Sequence, residues 1–112
     1  MWVLTESQQN NVRCLKNRVH DAVLNSVFTY DDAFGKFERC DFYASSEDSL
    51  FEVKDGSDPL VVDCKFHDTG KQCVDSHSNG KGRFERCDFS TTAHGACMNV
   101  FRGGNPIVTD CT

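Results

Sequence analysis

The sequence predicts an all-β fold, a single-stranded right-handed parallel β-helix of about four coils with about 24 residues in each. Two observations predict it. Five cysteines recur at successive gaps of 26, 24, 23 and 24 residues; they are Cys14, Cys40, Cys64, Cys87 and Cys111. The hexapeptide Phe-Glu-Arg-Cys-Asp-Phe occurs at residues 37–42 and again at 84–89, and residues 61–66 are a variant of it.

Apolar residues recur with the same period. Phe42, Phe66 and Phe89 each lie two residues after a cysteine, and a second apolar set comes ten or eleven residues after it: Leu24, Phe51, Val74 and Met98. Turn-forming residues separate these segments at 55–59, 78–82 and 103–106. Because the coils of a β-helix stack about 4.8 Å apart, equivalent residues should form internal columns. The three-residue spacing from Phe or Val to the cysteine also predicts a bend beside it, since strict alternation cannot bury both.

The first coil is expected to depart from this pattern, because Asn11 and Lys16 fall where apolar residues are predicted.

Charges beside the cysteines alternate in sign from coil to coil. The residues before them read Arg39, Asp63, Arg86 and Asp110, and those after them read Asp41, Lys65 and Asp88. Stacked neighbours would therefore carry opposite charges, which favours one register over a slip by one coil.

With 112 residues, the chain is interpreted as one domain, 1–112, in which residues 1–11 form an N-terminal cap and 12–112 the stacked coils. The formal net charge of −5 argues against nucleic acid or a membrane surface as the partner.

No signal peptide pattern is visible at the start, so a cytoplasmic location is expected. The last repeat stops at Cys111 and Thr112, which predicts an uncapped end, either of a fragment of a longer solenoid or of an end-to-end homo-oligomer.

Residues 63–72, 79–89 and 105–111 look like copies of one repeat. They resemble the pectate-lyase-like β-helix repeats of carbohydrate-active enzymes, and most closely the non-enzymatic subset found in F-box substrate-recognition proteins and related scaffolds. The resemblance covers residues 34–112 well and 11–33 loosely. It implies a non-catalytic recognition or scaffold module that binds a protein or a glycan on an outward sheet face, with no cofactor and no metal.

In the enzymes that this repeat resembles, one outward sheet face carries the catalytic carboxylates. The matching outward residues are Asn25, Glu52, Asp75 and Asn99, followed by Val27, Lys54, His77 and Phe101. Ligand-binding candidates are Asn25, Glu52, Lys54, Asp75, His77, Asn99 and Phe101. If the chain is instead a degenerate or fragmentary polysaccharide lyase or glycosidase, Glu52, Asp75 and His77 are its catalytic candidates. A purely structural repeat that assembles end to end is the third reading.

The cysteine column can be read as buried free thiols, as disulfides between adjacent coils, or as a metal site. Cys73 and Cys97 form a separate pair on adjacent coils. Alternation along the strands that follow predicts that both point outward and are the most reactive thiols. His67 and His94 are expected in solvated loops.

Overall fold

The computed structural model describes residues 3–5, 12–21, 25, 27–44, 48–90 and 97–112. These residues form short strands separated by turns. The strands are β1 (Val3–Thr5), β2 (Val12–Leu15), β3 (Arg18–His20), β4 (Val27–Thr29), β5 (Gly35–Glu38), β6 (Asp41–Tyr43), β7 (Phe51–Val53), β8 (Leu60–Val62), β9 (Lys65–His67), β10 (Val74–Ser76), β11 (Arg83–Glu85), β12 (Asp88–Phe89), β13 (Met98–Val100) and β14 (Ile107–Thr109). Over the same residues, no helix is long and apolar enough to cross a membrane.

The strands form three parallel sheets that the chain visits in turn. The first sheet has the order β1-β4-β7-β10-β13, the second β2-β5-β8-β11-β14 and the third β3-β6-β9-β12. Each strand pairs in parallel with the strand that lies three places away in the chain. Paired residues are 23 or 24 positions apart, as in Val3 with Val27 and Phe66 with Phe89. The predicted parallel β-helix is therefore confirmed.

The first coil follows the same period once its register is known. Cys14 pairs with Phe37, and Val19 pairs with Phe42, each 23 residues apart. Cys14 therefore takes the place of a phenylalanine in the second sheet. Cys14 is therefore not the first member of the cysteine column. The equivalent position in this coil is Asn17, whose carbonyl oxygen accepts a hydrogen bond from the Asp41 N–H.

The prediction that Lys16 breaks an apolar column is wrong, because Val19 fills that column and is fully buried. Lys16 lies instead at the corner between the second and third sheets. Asn11, the other expected departure, lies outside the described residues. Within the predicted cap, Val3–Thr5 forms a strand of the first sheet.

The corner between the second and third sheets uses a left-handed backbone residue in every coil. These residues have φ between 51° and 55°; they are Lys16, Arg39, Asp63, Arg86 and Asp110. One such residue reverses the alternation of side chains, so Phe37, two positions before Arg39, and Cys40, directly after it, both point inward. This confirms the bend that the spacing beside the cysteines predicted.

The cysteine that follows the corner bonds to the backbone. The Cys64 thiol lies 3.3 Å from the Val62 carbonyl oxygen of its own coil and 3.4 Å from that of Phe37 in the preceding coil. The thiols of Cys40, Cys87 and Cys111 make the equivalent contacts. All are free thiols. A small, buried, weakly donating side chain suits a corner where carbonyl groups turn inward.

The predicted charge column is realised at one pair between coils. Arg86 Nε donates to Asp63 Oδ1 at 2.8 Å. Arg39, by contrast, pairs with Glu38 of its own coil at 3.3 Å. Both Arg86 and Asp63 are largely exposed, so solvent screens their attraction and the pair acts mainly on register.

Phenylalanine fills the core. The rings of Phe42, Phe66 and Phe89 stack in one column with centroids 4.9 and 5.0 Å apart. From the first sheet, Phe51 meets four rings edge-on at 5.2 to 6.1 Å, those of Phe37, Phe42, Phe66 and Phe84. Phe51 is fully buried and joins all three sheets, so it is the centre of the apolar cluster.

We expect Phe51→Ala to lower the free energy of unfolding by about 3–5 kcal/mol, because it opens a cavity where the three sheets meet. The matched control is Phe34→Ala, since the Phe34 side chain is 45% exposed and its loss should change stability by about 0.5 kcal/mol or less. Urea denaturation monitored by circular dichroism measures both. Equal losses in the two variants would contradict this account of the core.

The outward face of the third sheet carries a column of three stacked rings. Tyr43 lies between His20 and His67, at centroid distances of 4.8 and 5.0 Å. His67 ends strand β9, so the prediction that it lies in a loop is wrong; His94 lies outside the described residues. Asp41 contacts Nε2 of His67 and Asp68 contacts Nδ1, each at 2.5 Å. Both ring nitrogens can donate only when the imidazole is protonated.

Partial burial opposes that charge, but the bonds to Asp68 and Asp41 outweigh it and raise the pKa of His67. The folded chain therefore holds this proton more tightly than the unfolded chain. The resulting stabilisation is fully present below about pH 6.5, where an unfolded histidine titrates, and is lost as the pH rises through the folded-state pKa.

We accordingly expect His67→Gln to destabilise the chain at pH 5.5 and to have a much smaller effect at pH 9. Urea unfolding at both values measures the difference, and Asp68→Asn should shift the NMR titration of His67 to lower pH. A destabilisation by His67→Gln that is the same at both pH values would refute the charged arrangement.

The far end of the stack leaves apolar side chains exposed. Val100 on β13 is 46% exposed and Val108 on β14 is 47% exposed, because nothing in the described part of the chain covers them. The end-to-end pairing expected through this coil stays a prediction.

Candidate functional site

The outward residues of the first sheet form the candidate site. The strand register places Phe28, Glu52, Asp75 and Asn99 side by side. The predicted stacking of Glu52, Asp75 and Asn99 is therefore correct as geometry. In β7 and β10 the flanking residues are buried while Glu52 and Asp75 are partly exposed, so both carboxylates point away from the core.

The register of the first coil corrects two of the predicted outward positions. Phe28, and not Asn25, pairs with Glu52, because Val27 lies beside Phe51. Val27, predicted to point outward, is fully buried. The sequence alignment placed Leu24 in the core column, and that choice shifted the coil by three residues.

Asn25 lies beside the site and supports it. Its Nδ2 donates to the Ser49 carbonyl oxygen at 2.9 Å and contacts Ser49 Oγ at 3.2 Å. Ser49 is fully buried next to Asp48. The amide of Asn25 therefore holds the segment that carries Asp48, and its predicted role in ligand binding stays a prediction.

Three carboxylates come together on this face. The oxygens of Asp48, Glu52 and Asp75 lie within 4.8 Å of one another, and we call these three residues the carboxylate cluster. Sequence reasoning missed Asp48, because it precedes strand β7 in a segment with no repeated pattern. The only sequence signal for Asp48 is its own position, since it is an acidic residue four positions before Glu52.

Burial changes the acidity of the cluster. Burial, and next the charge of Asp48, raises the pKa of Glu52. Burial also raises the pKa of Asp75, although Ser49 opposes the shift. Oδ1 of Asp75 is buried and has no hydrogen-bond partner. The site therefore holds negative charge that its protein surroundings neutralise only in part.

A cationic and aromatic edge borders the cluster. His77 Nε2 lies 3.7 Å from Glu52 Oε1, and both side chains are about 15% exposed. The ring of Phe101 stacks on His77 with centroids 4.7 Å apart. Lys54 Nζ lies 5.3 Å from the centre of the Phe28 ring. The predicted candidates Lys54, His77 and Phe101 therefore lie together at one edge of the face.

The site is a cluster of carboxylates, which accepts hydrogen bonds and attracts cations. Three carboxylates offer hard oxygen atoms, which pair with ammonium, guanidinium or a hard metal cation. Two carboxylates at this separation, with raised pKa values, could also serve as an acid and a base. No cofactor-binding motif accompanies them in the described residues.

The fold and this face define a class of protein, a parallel β-solenoid with an acidic outward surface. Residues 3–112 match the family model described as a right-handed β-helix region, and the chain belongs to this family. The predicted handedness is thereby confirmed. No curated protein and no solved structure gives a significant match to the chain.

We expect Glu52→Gln to raise the stability of the chain at pH 7. Because the folded-state pKa of Glu52 is raised, ionising this side chain weakens the fold as the pH rises above about 4.3, where an unfolded glutamate titrates. The gain should disappear at pH 3.5, where both states are protonated. Urea unfolding at the two pH values measures it, with Glu85→Gln on the second sheet as the matched control. A loss of stability at pH 7 in Glu52→Gln alone would show that the carboxylate supports the fold.

Proposed function

We propose that this β-helix is a non-catalytic recognition module, and that its outward first-sheet face binds a protein segment bearing lysine or arginine. The observation that carries the proposal is the carboxylate cluster itself, three partly exposed acidic side chains whose oxygens lie within 4.8 Å of one another. Burial raises the pKa of Glu52 and of Asp75, so ionising these carboxyls costs free energy when no cation lies beside them. A ligand that places a cation at the cluster lowers this cost on binding.

The charge of the face favours a cationic ligand. The whole chain carries a net charge of −5, which draws a basic segment toward it. Within the site, Lys54 already lies over Phe28 and within 3.9 Å of Asp55. His77 lies near Glu52 but does not reverse the raised pKa of that carboxyl. An incoming ammonium or guanidinium group would favour the ionised form of both carboxylates and bind more tightly as they ionise.

A protein segment fits this face better than a neutral glycan. Sugar hydroxyls can donate hydrogen bonds to carboxylates, but they leave the negative charge of the cluster uncompensated. A sugar would also find less aromatic surface to stack on, because His77 covers one side of the Phe101 ring. An extended segment would instead lie along the column of outward residues and place a basic side chain at the cluster.

Catalysis is the second candidate function, and one observation favours it. Glu52 and Asp75 combine proximity with raised pKa values, which is the environment of a general acid in glycoside hydrolysis. In that case Glu52, Asp75 and His77 would act on the sugar.

The test is a binding assay with defined probes. Synthetic peptides that carry paired lysines or arginines, and the same peptides with glutamine at those positions, are titrated against the intact chain. A neutral glycan array is run on the same preparation. We expect the basic peptides to bind, their glutamine versions to bind at least about tenfold more weakly, and affinity to fall between 0.05 and 0.5 M salt.

Substitutions within the site test whether binding requires this face or only the net negative charge of the chain. Glu52→Gln and Asp75→Asn should each weaken peptide binding by about tenfold or more, whereas Glu85→Gln on the second sheet should leave it nearly unchanged. Equal losses in all three variants would reduce the effect to net charge and contradict the proposal. Release of reducing or unsaturated sugars that Glu52→Gln abolishes would establish the enzyme instead.

A further inference from the structure

Cys73 and Cys97 differ in their contacts from the corner cysteines. They immediately precede β10 and β13, on neighbouring coils. Cys73 was predicted to point outward, but its side chain is fully buried, because both Cys73 and Val74 face the core where the strand begins. Cys97 is only partly buried. The alternation of the strand therefore does not extend back to these positions.

The two sulfur atoms are in direct contact. Cys97 Sγ lies 2.7 Å from Cys73 Sγ, and the Cys73 N–H donates to the Cys97 carbonyl oxygen at 2.7 Å. A disulfide bond is about 2.05 Å long, so the sulfurs need to approach by well under 1 Å. Neighbouring strands lie about 4.8 Å apart, which falls within the Cα separation that a disulfide spans.

The corner thiols, by comparison, have more backbone partners than the Cys73 thiol, which contacts one carbonyl oxygen, that of Ser90, at 3.4 Å. Each of Cys40, Cys64, Cys87 and Cys111 has two backbone carbonyl oxygens within 3.3 to 3.5 Å. Oxidising one of them would give up these contacts at the bend.

We propose that Cys73 and Cys97 form a reversible redox pair, which closes to a disulfide between two coils in the presence of a small-molecule disulfide such as oxidised glutathione. This modification site is independent of the proposed binding function.

The reaction proceeds by two exchange steps. The Cys97 thiol is the more exposed, and burial together with the Cys97 contact raises the pKa of Cys73. Because a partly exposed thiol meets the dissolved disulfide more readily than a buried one, the Cys97 sulfur loses its proton and attacks first. It forms a mixed disulfide with one half of the oxidised glutathione and releases the other half as a thiol. Cys73 then loses its proton, attacks the Cys97 sulfur and releases the second glutathione. Two protein thiols are oxidised to one disulfide, and one glutathione disulfide is reduced to two thiols.

Closing this bond would link the last two strands of the first sheet. Asp75 and Asn99 each lie two residues beyond a cysteine of the pair, so the disulfide would fix the coils that carry them. The bond closes a loop of about 25 residues, and a loop of that size should raise the midpoint of thermal unfolding by roughly 10 °C.

The test incubates the intact, folded chain in glutathione buffers from fully reduced to fully oxidised. Remaining thiols are then alkylated, and the chain is digested with trypsin and sequenced by mass spectrometry. We expect a peptide link between residues 72–81 and 87–102, with fragmentation placing the bond at Cys97 and not Cys87. The thermal midpoint should rise with the linked fraction, and reduction should reverse it.

Two variants make the result decisive. Cys97→Ser should abolish both the link and the rise in the thermal midpoint, whereas Cys64→Ser should retain the link. Because Cys97 is partly exposed, Cys97→Ser is expected to fold, and circular dichroism checks it. The proposal is overturned if glutathione stays attached to Cys97 without transfer to Cys73, or if the folded chain links other cysteines equally often.

Discussion

The fold depends on in-register stacking of coils of nearly constant length. Each strand pairs with the strand one coil away, so residues 23 or 24 positions apart must lie next to each other. The turns absorb the one-residue difference between coils, so the columns stay in register. The left-handed corner residues, the corner thiols and the phenylalanine column all serve this requirement, because each repeats at the same place in every coil.

Stacking also explains how far the sequence could predict the structure. The period, the turns and the bend were predictable because each is repeated, and repeated features reinforce one another in an alignment. The first coil was misaligned because Cys14 looks like a member of the cysteine column but pairs with Phe37. Only the three-dimensional register shows that Val19 belongs with Phe42. Asp48 was missed for the opposite reason, since it lies in a segment that does not repeat.

The same constraint shapes the candidate site. On the inward side, stacking like on like is favourable, because phenyl rings and thiols gain contacts from their copies. On the outward side it brings Glu52 and Asp75 together, where burial, and then the charges of Asp48 and Asp75, raise the pKa of Glu52. A sequence selected for stability alone would alternate the charges here, as it does at Arg86 and Asp63. The stacked carboxylates therefore depart from the opposite-charge stacking of Arg86 and Asp63, and such departures are characteristic of functional surfaces.

The partition of the cysteines follows the same logic. A thiol at the corner meets inward carbonyl groups in every coil, so four thiols have backbone partners and remain free. Before the first sheet, Cys73 and Cys97 lie next to each other on neighbouring coils, and their two sulfur atoms are in contact. Cysteine therefore has two roles in this chain, and the position of each cysteine within its coil decides which role it has. Because Cys73 and Cys97 each lie two residues before Asp75 or Asn99, the stacking that brings the two sulfur atoms together also places those two outward side chains side by side.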